Sequence, residues 1–160
     1  MDGRAHVITV SDRASAGKMA DESGPALVEI LRGLGFEVSG PEVVPDEKEL
    51  IAKAIVEASG GGAALVVTTG GTGLGPRDVT PQATAPLLDY QVPGLGEAMR
   101  QAGAASTPMS SISRSLAGVR GRTLIVNVPG SRRGASESLH AIEKVLPHAI
   151  RILQGDPSHP

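Results

Sequence analysis

A continuous apolar run over residues 63–69 leads directly into a glycine-rich segment over residues 70–75. Three glycines at positions 60–62 precede the run, so turn-forming residues bound it on both sides. A short apolar segment of this kind is typical of a strand that is buried on both faces of a sheet. Because such sheets carry helices on each face, the run predicts an α/β protein.

The rest of the chain alternates between strand and helix patterns. Further strands are predicted over residues 6–10, 36–44, 109–115 and 123–128. Apolar spacing and capping residues predict helices from Pro25 to residue 34, from Asp46 to residue 60, after Thr80, over 95–105, and over 135–154 with a break at Pro147. The pattern predicts a single domain over residues 1–160 with its core at about 5–154. The expected fold class is a three-layer α/β/α sandwich around a mostly parallel, mixed sheet, and residues 155–160 are expected to be a frayed tail.

Composition excludes several classes of function. The formal net charge of −2, and Phe36 and Tyr90 as the only aromatic residues, argue against a nucleic-acid partner. The absence of cysteine excludes disulfide scaffolds, thiolate nucleophiles and Cys-ligated zinc. The four histidines have no metal-ligand spacing, and no segment resembles a signal peptide or a membrane span. We therefore expect a cytoplasmic protein with no membrane partner.

The strongest local motif is the glycine-rich segment that follows the buried strand. Open α/β sheets bind ligands at the carboxyl ends of their strands, where glycines let backbone N–H groups approach an anion. Neither of the two common nucleotide fingerprints is present, so a simple strand-to-helix connection explains the glycines equally well. Arg77 and Asp78 favour the ligand interpretation, because phosphoryl chemistry uses an Arg fork for phosphate and a carboxylate for Mg²⁺.

Three further motifs are weaker taken one at a time. Asp46 follows a predicted strand, and a plain helix cap is the preferred interpretation from the sequence alone. The turn over residues 129–131 also follows a strand, with Arg132 and Arg133 at the start of the next helix, where cations suggest an anionic ligand or an ordinary solvated face. Residues 113–115 are consistent with the polar surface of an edge strand.

Six motifs in order resemble one known family. They are TVSD (9–12), VPD (44–46), TTGGTG (68–73), RDVTP (77–81), SR (113–114) and NVPGS (127–131). This set is similar to the molybdopterin adenylyltransferases of the MogA and MoaB type and to the G domain of gephyrin. The resemblance covers about residues 5–154 and implies a molybdopterin-binding-like fold.

The resemblance implies adenylylation of molybdopterin by ATP, with release of pyrophosphate, as a step of molybdenum cofactor biosynthesis. It implies Mg²⁺ as the ion, with Asp46 and Asp78 as its ligands and as the catalytic carboxylates. It also assigns substrate binding to Ser11, Asp12, Gly70, Gly71, Thr72, Gly73, Arg77, Thr80, Ser113, Arg114, Pro129, Gly130 and Ser131. Two alternatives stay open: a catalytically silent pterin-binding or assembly module, and an unrelated phosphosugar or nucleotide enzyme of flavodoxin-like build. A homotrimer and a molybdenum-insertion protein as partner are further expectations from the family.

Overall fold

The computed structural model describes residues 3–156 and residue 158 of the chain. The strands of this part are β1 (Arg4–Val10), β2 (Glu37–Val44), β3 (Leu65–Thr69), β4 (Tyr90–Gln91), β5 (Ala117–Arg120) and β6 (Thr123–Val128). Its helices are α1 (Asp12–Ser15), α2 (Ser23–Gly33), α3 (Lys48–Gly60), α4 (Thr80–Thr84), α5 (Pro93–Ala104), α6 (Arg132–Ile142) and α7 (Leu146–Leu153). Short 3₁₀ turns cover Ala85–Leu87 and Pro108–Ile112.

The strands form one mixed sheet in the order β2-β1-β3-β6-β5-β4. The first four strands are parallel, and the register places Ile8 beside Thr68, and Thr68 beside Asn127. The β5 strand pairs antiparallel with β6, and β4 pairs antiparallel with β5. The prediction of a mostly parallel, mixed sheet is therefore confirmed.

Helices cover both faces of this sheet, because alternate side chains of each strand point to opposite faces. On one face, α2, α5, α6 and α7 bury an aliphatic cluster that includes Leu27, Met99, Leu139 and Leu146. On the other face, Ile51 and Ile55 of α3 and Ala83 of α4 belong to a second buried cluster with Ile8, Val66 and Ile125 of the strands. The predicted three-layer sandwich is confirmed.

The strand predicted over residues 109–115 is wrong. Residues Pro108–Ile112 form a 3₁₀ turn, capped by the Thr107 side chain, which accepts a hydrogen bond from the Met109 amide at 3.2 Å. The strand lies later, at Ala117–Arg120, and includes Gly118. Gly118 is needed there because a Cβ would lie 2.7 Å from the carbonyl oxygen of Tyr90 in the neighbouring strand.

The final helical segment divides into α6 and α7, as the break predicted at Pro147 required. Pro147 lies in the first turn of α7, where a missing N–H is tolerated, so the interruption comes before the proline. The α6 helix begins at Arg132, three residues earlier than predicted. The predicted tail lies partly outside the described residues. No helix within the described residues combines the length and apolar character that crossing a membrane requires.

Candidate active site

The loops that follow β1, β2, β3 and β6 meet at one edge of the sheet, because parallel strands end on the same side. They enclose a cleft of about 660 Å³. The chain winds from β1 outward to β2 and then returns to β3 on the other side of β1, so the cleft lies at a topological switch point. The expected site residues that line it are Ser11, Asp46, Gly70, Gly71, Asp78, Gly130 and Ser131.

The other expected site residues lie outside this lining. Ser113 and Pro129 line a smaller neighbouring cavity of about 190 Å³, which shares Ser131 with the cleft. Asp12 and Arg77 are hydrogen-bonded to each other, and the Asp12 amide donates to Asp46. Thr72, Gly73, Thr80 and Arg114 belong to the framework of the glycine-rich segment.

Asp46 is held by its neighbour Asp12 and not by its own helix. The Asp12 amide donates to Asp46 Oδ2 at 2.8 Å, and the Asp46 amide donates to Asp12 Oδ1 at 2.9 Å. The interpretation of Asp46 as a plain cap is wrong, because α3 begins after Glu47 and no side chain caps it. Asp46 Oδ1 accepts no hydrogen bond from the described residues and is left for a ligand.

The electrostatic setting of Asp46 favours its neutral form more than water would. Burial raises the pKa of Asp46, and the negative charges of Asp12 and Asp78 raise it further. The hydrogen bond from the Asp12 amide and the positive charge of Arg77 act in the opposite direction. A cation in the cleft would relieve this repulsion, so the carboxylates of Asp46 and Asp78 favour a positively charged ligand between them.

Asp12 and Arg77 form a two-pronged ion pair. Arg77 Nε donates to Asp12 Oδ2 and Nη2 donates to Oδ1, each at 3.0 Å. The Arg77 hydrogen bond is the main reason that the pKa of Asp12 is lowered, and the Asp46 amide contributes to the same shift. Side-chain exposures of 61% for Arg77 and 39% for Asp12 place the pair at the rim. The Arg fork expected to hold phosphate is therefore occupied by a carboxylate of the protein.

The turn after β3 requires glycine. Gly70 and Gly71 have φ angles of +105° and +70°, and a Cβ at Gly71 would collide with the Thr80 hydroxyl. Thr80 was expected to cap the next helix, but Val79 occupies the cap position. The Thr80 hydroxyl instead donates to the Gly70 carbonyl at 2.8 Å, and its amide donates to the Gly71 carbonyl at 3.1 Å. These two hydrogen bonds from Thr80 stabilise the turn at Gly70 and Gly71.

Asp78 packs against the glycines that precede it. Its Oδ2 accepts a hydrogen bond from the Gly75 amide at 2.9 Å. A Cβ added at Gly73 or at Gly75 would lie 2.8 Å from the same oxygen. These glycines therefore leave the space that the Asp78 carboxylate fills, although neither has a positive φ.

The turn at residues 129–131 forms the wall opposite Asp46. The Pro129 carbonyl accepts a hydrogen bond from Thr69 Oγ1 at 2.7 Å, and a Cβ at Gly130 would lie 3.2 Å from the Cα of Gly70. Ser131 caps α6, since its Oγ accepts from the Gly134 amide at 3.0 Å. The positive end of α6 therefore lies at the cleft, and Arg132 adds a charged side chain to the lining.

The segment between α1 and α2 also lines the cleft, although no sequence motif pointed to it. Asp21 Oδ1 accepts from the Gly24 amide at 3.0 Å, and Oδ2 accepts from Thr9 Oγ1 at 2.7 Å. Met19, Ala20, Glu22 and Ser23 contribute to the same wall. The spacing of Asp21, Gly24 and Pro25 is that of a capped helix start and could have revealed this position.

Of the four carboxylate residues that line the cleft, Asp46 and Asp78 lie beside the glycine turn, whereas Asp21 and Glu22 belong to the segment before α2. Within the described residues, no three His, Cys, Asp or Glu side chains come together as a metal-binding group. Mg²⁺ keeps several waters and commonly takes only one or two protein carboxylates together with substrate phosphates. Asp46, with its unpartnered Oδ1, and Asp78 fit that requirement.

A polar cleft at the switch point of an open α/β sheet, lined by a glycine turn and a helix N-terminus, is typical of proteins that bind phosphorylated small molecules. Residues 6–148 match the sequence model of a family described as a probable molybdopterin binding domain. The chain belongs to this family, which confirms the resemblance drawn from its six motifs.

Three relatives illustrate the match. A molybdopterin adenylyltransferase of Helicobacter pylori J99 is 38% identical over 94% of this chain and 87% of its own. A molybdenum cofactor biosynthesis bifunctional protein of Synechococcus elongatus is 44% identical over 94% of this chain, which spans only 47% of that longer protein. The crystal structure of the molybdopterin biosynthesis enzyme MoaB from Thermus thermophilus superposes with a TM-score of 0.91 at 50% identity, over 99% of this chain and 100% of that one.

Proposed function

We propose that this chain transfers the adenylyl group of ATP to molybdopterin and releases pyrophosphate, as a step of molybdenum cofactor biosynthesis. The observation that carries the proposal is that Asp46 and Asp78 both line the cleft beside the glycine turn. Relatives from Helicobacter pylori and Escherichia coli, 38% and 36% identical, are named molybdopterin adenylyltransferase and are matched over most of their length.

The reaction joins two polyanions and needs no nucleophile from the protein. A terminal phosphate oxygen of molybdopterin attacks the α-phosphorus of ATP, and the bond from that phosphorus to the oxygen bridging to the β-phosphate breaks. The leaving group is pyrophosphate, which carries away the electron pair of the broken bond. Catalysis of this kind rests on alignment of the two substrates and on stabilisation of their charge.

Backbone donors and one cation of the cleft suit the phosphates. The Gly71 amide donates to no acceptor of the described residues, so it is free for an anion. The start of α6 presents further N–H groups beside Ser131, and Arg132 brings a positive charge to the lining. We assign phosphate binding to these groups. Arg77 is instead hydrogen-bonded to Asp12 at the rim of the cleft.

Asp46 and Asp78 are assigned to the metal side of the reaction. When Mg²⁺ is bound, it supplies the charge that lets two sets of phosphates approach each other. Asp46 would offer its free Oδ1 to this ion, and Asp78 would offer the oxygen that does not accept from Gly75. The two carboxylates would thereby hold the ion beside the glycine turn.

The proposal includes finer statements carried over from the sequence patterns and from the family resemblance. ATP is the nucleotide and Mg²⁺ the ion, the protein is a cytoplasmic single domain, it forms a homotrimer, and it hands its product to a molybdenum-insertion protein. Sedimentation at micromolar concentration tests the oligomeric state, and a monomer there would remove that statement.

The deciding experiment is an assay of purified protein with molybdopterin, ATP and Mg²⁺. We expect pyrophosphate release together with a product that is heavier than molybdopterin by one adenylyl group. The Asp46→Asn protein, purified in parallel, serves as the control for contaminating enzymes. Binding of molybdopterin without pyrophosphate release would instead define a silent pterin-binding module.

A further inference from the structure

Arg114 lies behind the glycine-rich segment, between the 3₁₀ turn at Pro108–Ile112 and β5. Its side chain is half-buried, and it does not belong to the lining of the cleft. All of its side-chain hydrogen bonds within the described residues go to the segment between Gly73 and Gln82. Such a position suits a residue that shapes the turn more than one that contacts substrate.

Four hydrogen bonds connect Arg114 to this segment. Its amide donates to the Thr72 carbonyl at 2.9 Å and its Nε donates to the Gly73 carbonyl at 2.9 Å. Nη2 donates to the Asp78 carbonyl at 2.7 Å, and Nη1 donates to Gln82 Oε1 at 3.0 Å. One residue therefore fixes both ends of the loop and the helix that follows it.

The choice of acceptors has a chemical consequence for the cleft. Backbone carbonyl oxygens carry negative partial charge, so a carbonyl pointing at bound phosphate would repel it. Arg114, which is not part of the cleft lining, donates to the carbonyls of Thr72, Gly73 and Asp78. These three carbonyl oxygens are therefore already hydrogen-bonded to Arg114, and the loop can present N–H groups to an anion.

Arg114 also determines where the Asp78 carboxylate stands. The Asp78 main chain is anchored by Nη2 of Arg114, while the Asp78 side chain rests against Gly73 and Gly75. The same guanidinium binds the Gly73 carbonyl. A shift of Arg114 would therefore move both the Asp78 carboxylate and the glycine against which it packs. Displacements of about 1 Å are enough to lower catalytic rates strongly.

We propose that Arg114 is a positioning residue, which aligns Asp78 and the glycine turn for adenylyl transfer without contacting substrate. The inference rests on the proposed function and departs from the substrate-binding role that the family resemblance assigns to Arg114. A lysine cannot replace it, because one ammonium group lacks the planar fork that reaches three separate acceptors.

The test compares Arg114→Lys, which keeps the charge, with Arg122→Lys as a matched control. Arg122 is exposed immediately before β6, and its side chain makes no hydrogen bond within the described residues. We expect kcat of Arg114→Lys to fall at least about tenfold while KM for ATP and for molybdopterin changes less than about threefold. The control should match wild type in both quantities.

Amide hydrogen exchange on the unliganded proteins gives a readout independent of activity. The amides of Gly75, Asp78 and Thr80 are bonded within the loop and should exchange at least about tenfold faster in Arg114→Lys. Adding methylguanidinium to Arg114→Ala should restore part of both the protection and kcat. This second variant keeps the test decisive if the lysine protein folds poorly.

The outcomes separate the two proposals. A raised KM for ATP with unchanged kcat and unchanged exchange would mean that Arg114 binds phosphate directly, and would overturn its positioning role. Full activity of Arg114→Lys would overturn it as well. If wild-type protein releases no pyrophosphate, the proposed function fails, and the exchange rates alone decide whether Arg114 orders the loop.

Discussion

Asp46 and Asp12 hold each other through reciprocal bonds from backbone amide to carboxylate, at 2.8 and 2.9 Å. The pairing joins the loop after β2 to the loop after β1 and fixes one oxygen of Asp46, leaving the other toward Gly71. An ideal Cβ at Gly71 would lie 3.3 Å from that second oxygen. The orientation of a candidate catalytic carboxylate thus depends on a residue that lies outside the cleft lining.

Asp46→Asn should separate the charge of this residue from its hydrogen bonds. An Asn oxygen can still accept from the Asp12 amide, and removing a half-buried charge costs the fold little, so we expect a melting temperature close to wild type. Pyrophosphate release should fall about a hundredfold, as for the loss of a positioned electrostatic group. Thermal melts and the adenylylation assay measure the two effects. Full activity would mean that Asp46 is purely structural.

Asp78→Asn and Asp78→Ala form a second matched pair. The Asn side chain preserves an acceptor for the exposed Gly75 amide, whereas Ala loses this hydrogen bond, which costs about 1 kcal/mol of unfolding free energy. Both proteins should lose about a hundredfold in adenylyl transfer, because both lack the negative charge. Equal activity of Asp78→Asn and wild type would remove Asp78 from the catalytic group.

The effects of substituting Gly71 and Gly73 should differ, because only Gly71 has a positive φ. Gly71→Ala combines a strained φ of +70° with a collision at Thr80, so stability and molybdopterin binding should both fall. Gly73→Ala has no positive φ and mainly displaces the Asp78 carboxylate, so we expect a large loss of activity with a smaller loss of stability.

Gly33→Ala is the control for both, because nothing lies within 4 Å of its added Cβ at the end of α2. It should keep full activity and gain up to about 1 kcal/mol of stability. Calorimetric titration with molybdopterin beside thermal melts makes the comparison. If Gly73→Ala loses as much stability as Gly71→Ala, the distinction between strain and displacement is wrong.

Acid should weaken the Asp12 and Arg77 pair in a defined direction. The folded pKa of Asp12 lies below its ordinary value of 3.8, so the pair stabilises the fold above that pH. This contribution is lost as pH falls below 3.8 and through the lower folded value. Wild type should therefore melt higher than Asp12→Asn at about pH 6, and the gap should narrow as the pH falls below 3.8.

Melting curves of the two proteins across that range measure the effect. The raised pKa of Asp46 has the opposite sign, since it favours the folded state as pH falls. Burial, the largest cause of the raised pKa of Asp46, is the same in both proteins, so that part of its effect cancels in the comparison. A gap that is independent of pH would contradict the role assigned to the ion pair.

Patterns that follow directly from periodicity could be predicted from the sequence. The apolar run ending in glycine predicted β3 and its turn, because burial on both faces leaves little choice of element. Two of the misassigned residues, Asp46 and Arg114, have partners that are distant in the chain. Asp46 has a capping pattern, yet its side chain binds Asp12, 34 residues away. Arg114 binds a loop 36 to 41 residues away, which no local spacing encodes.

The error over residues 109–115 has one local cause and one distant cause. Met109 and Ile112 lie among serines in the predicted strand, but Thr107 and Pro108 start a 3₁₀ turn there. The strand in this region, β5, contains Gly118. A glycine is needed there because β4 approaches closely, and this contact exists only in the folded sheet.

The parallel order β2-β1-β3-β6 also determines when the cleft comes into existence. No two of its four walls are joined by a local hairpin, since parallel neighbours need long crossover connections. During synthesis the first three loops would emerge with one side still open to water. The fourth wall and the N-terminus of α6 follow only after residues 123–132 have been made. A nascent chain shorter than this would carry both aspartates and still lack a complete anion pocket, so ligand binding reports on completion of the sheet.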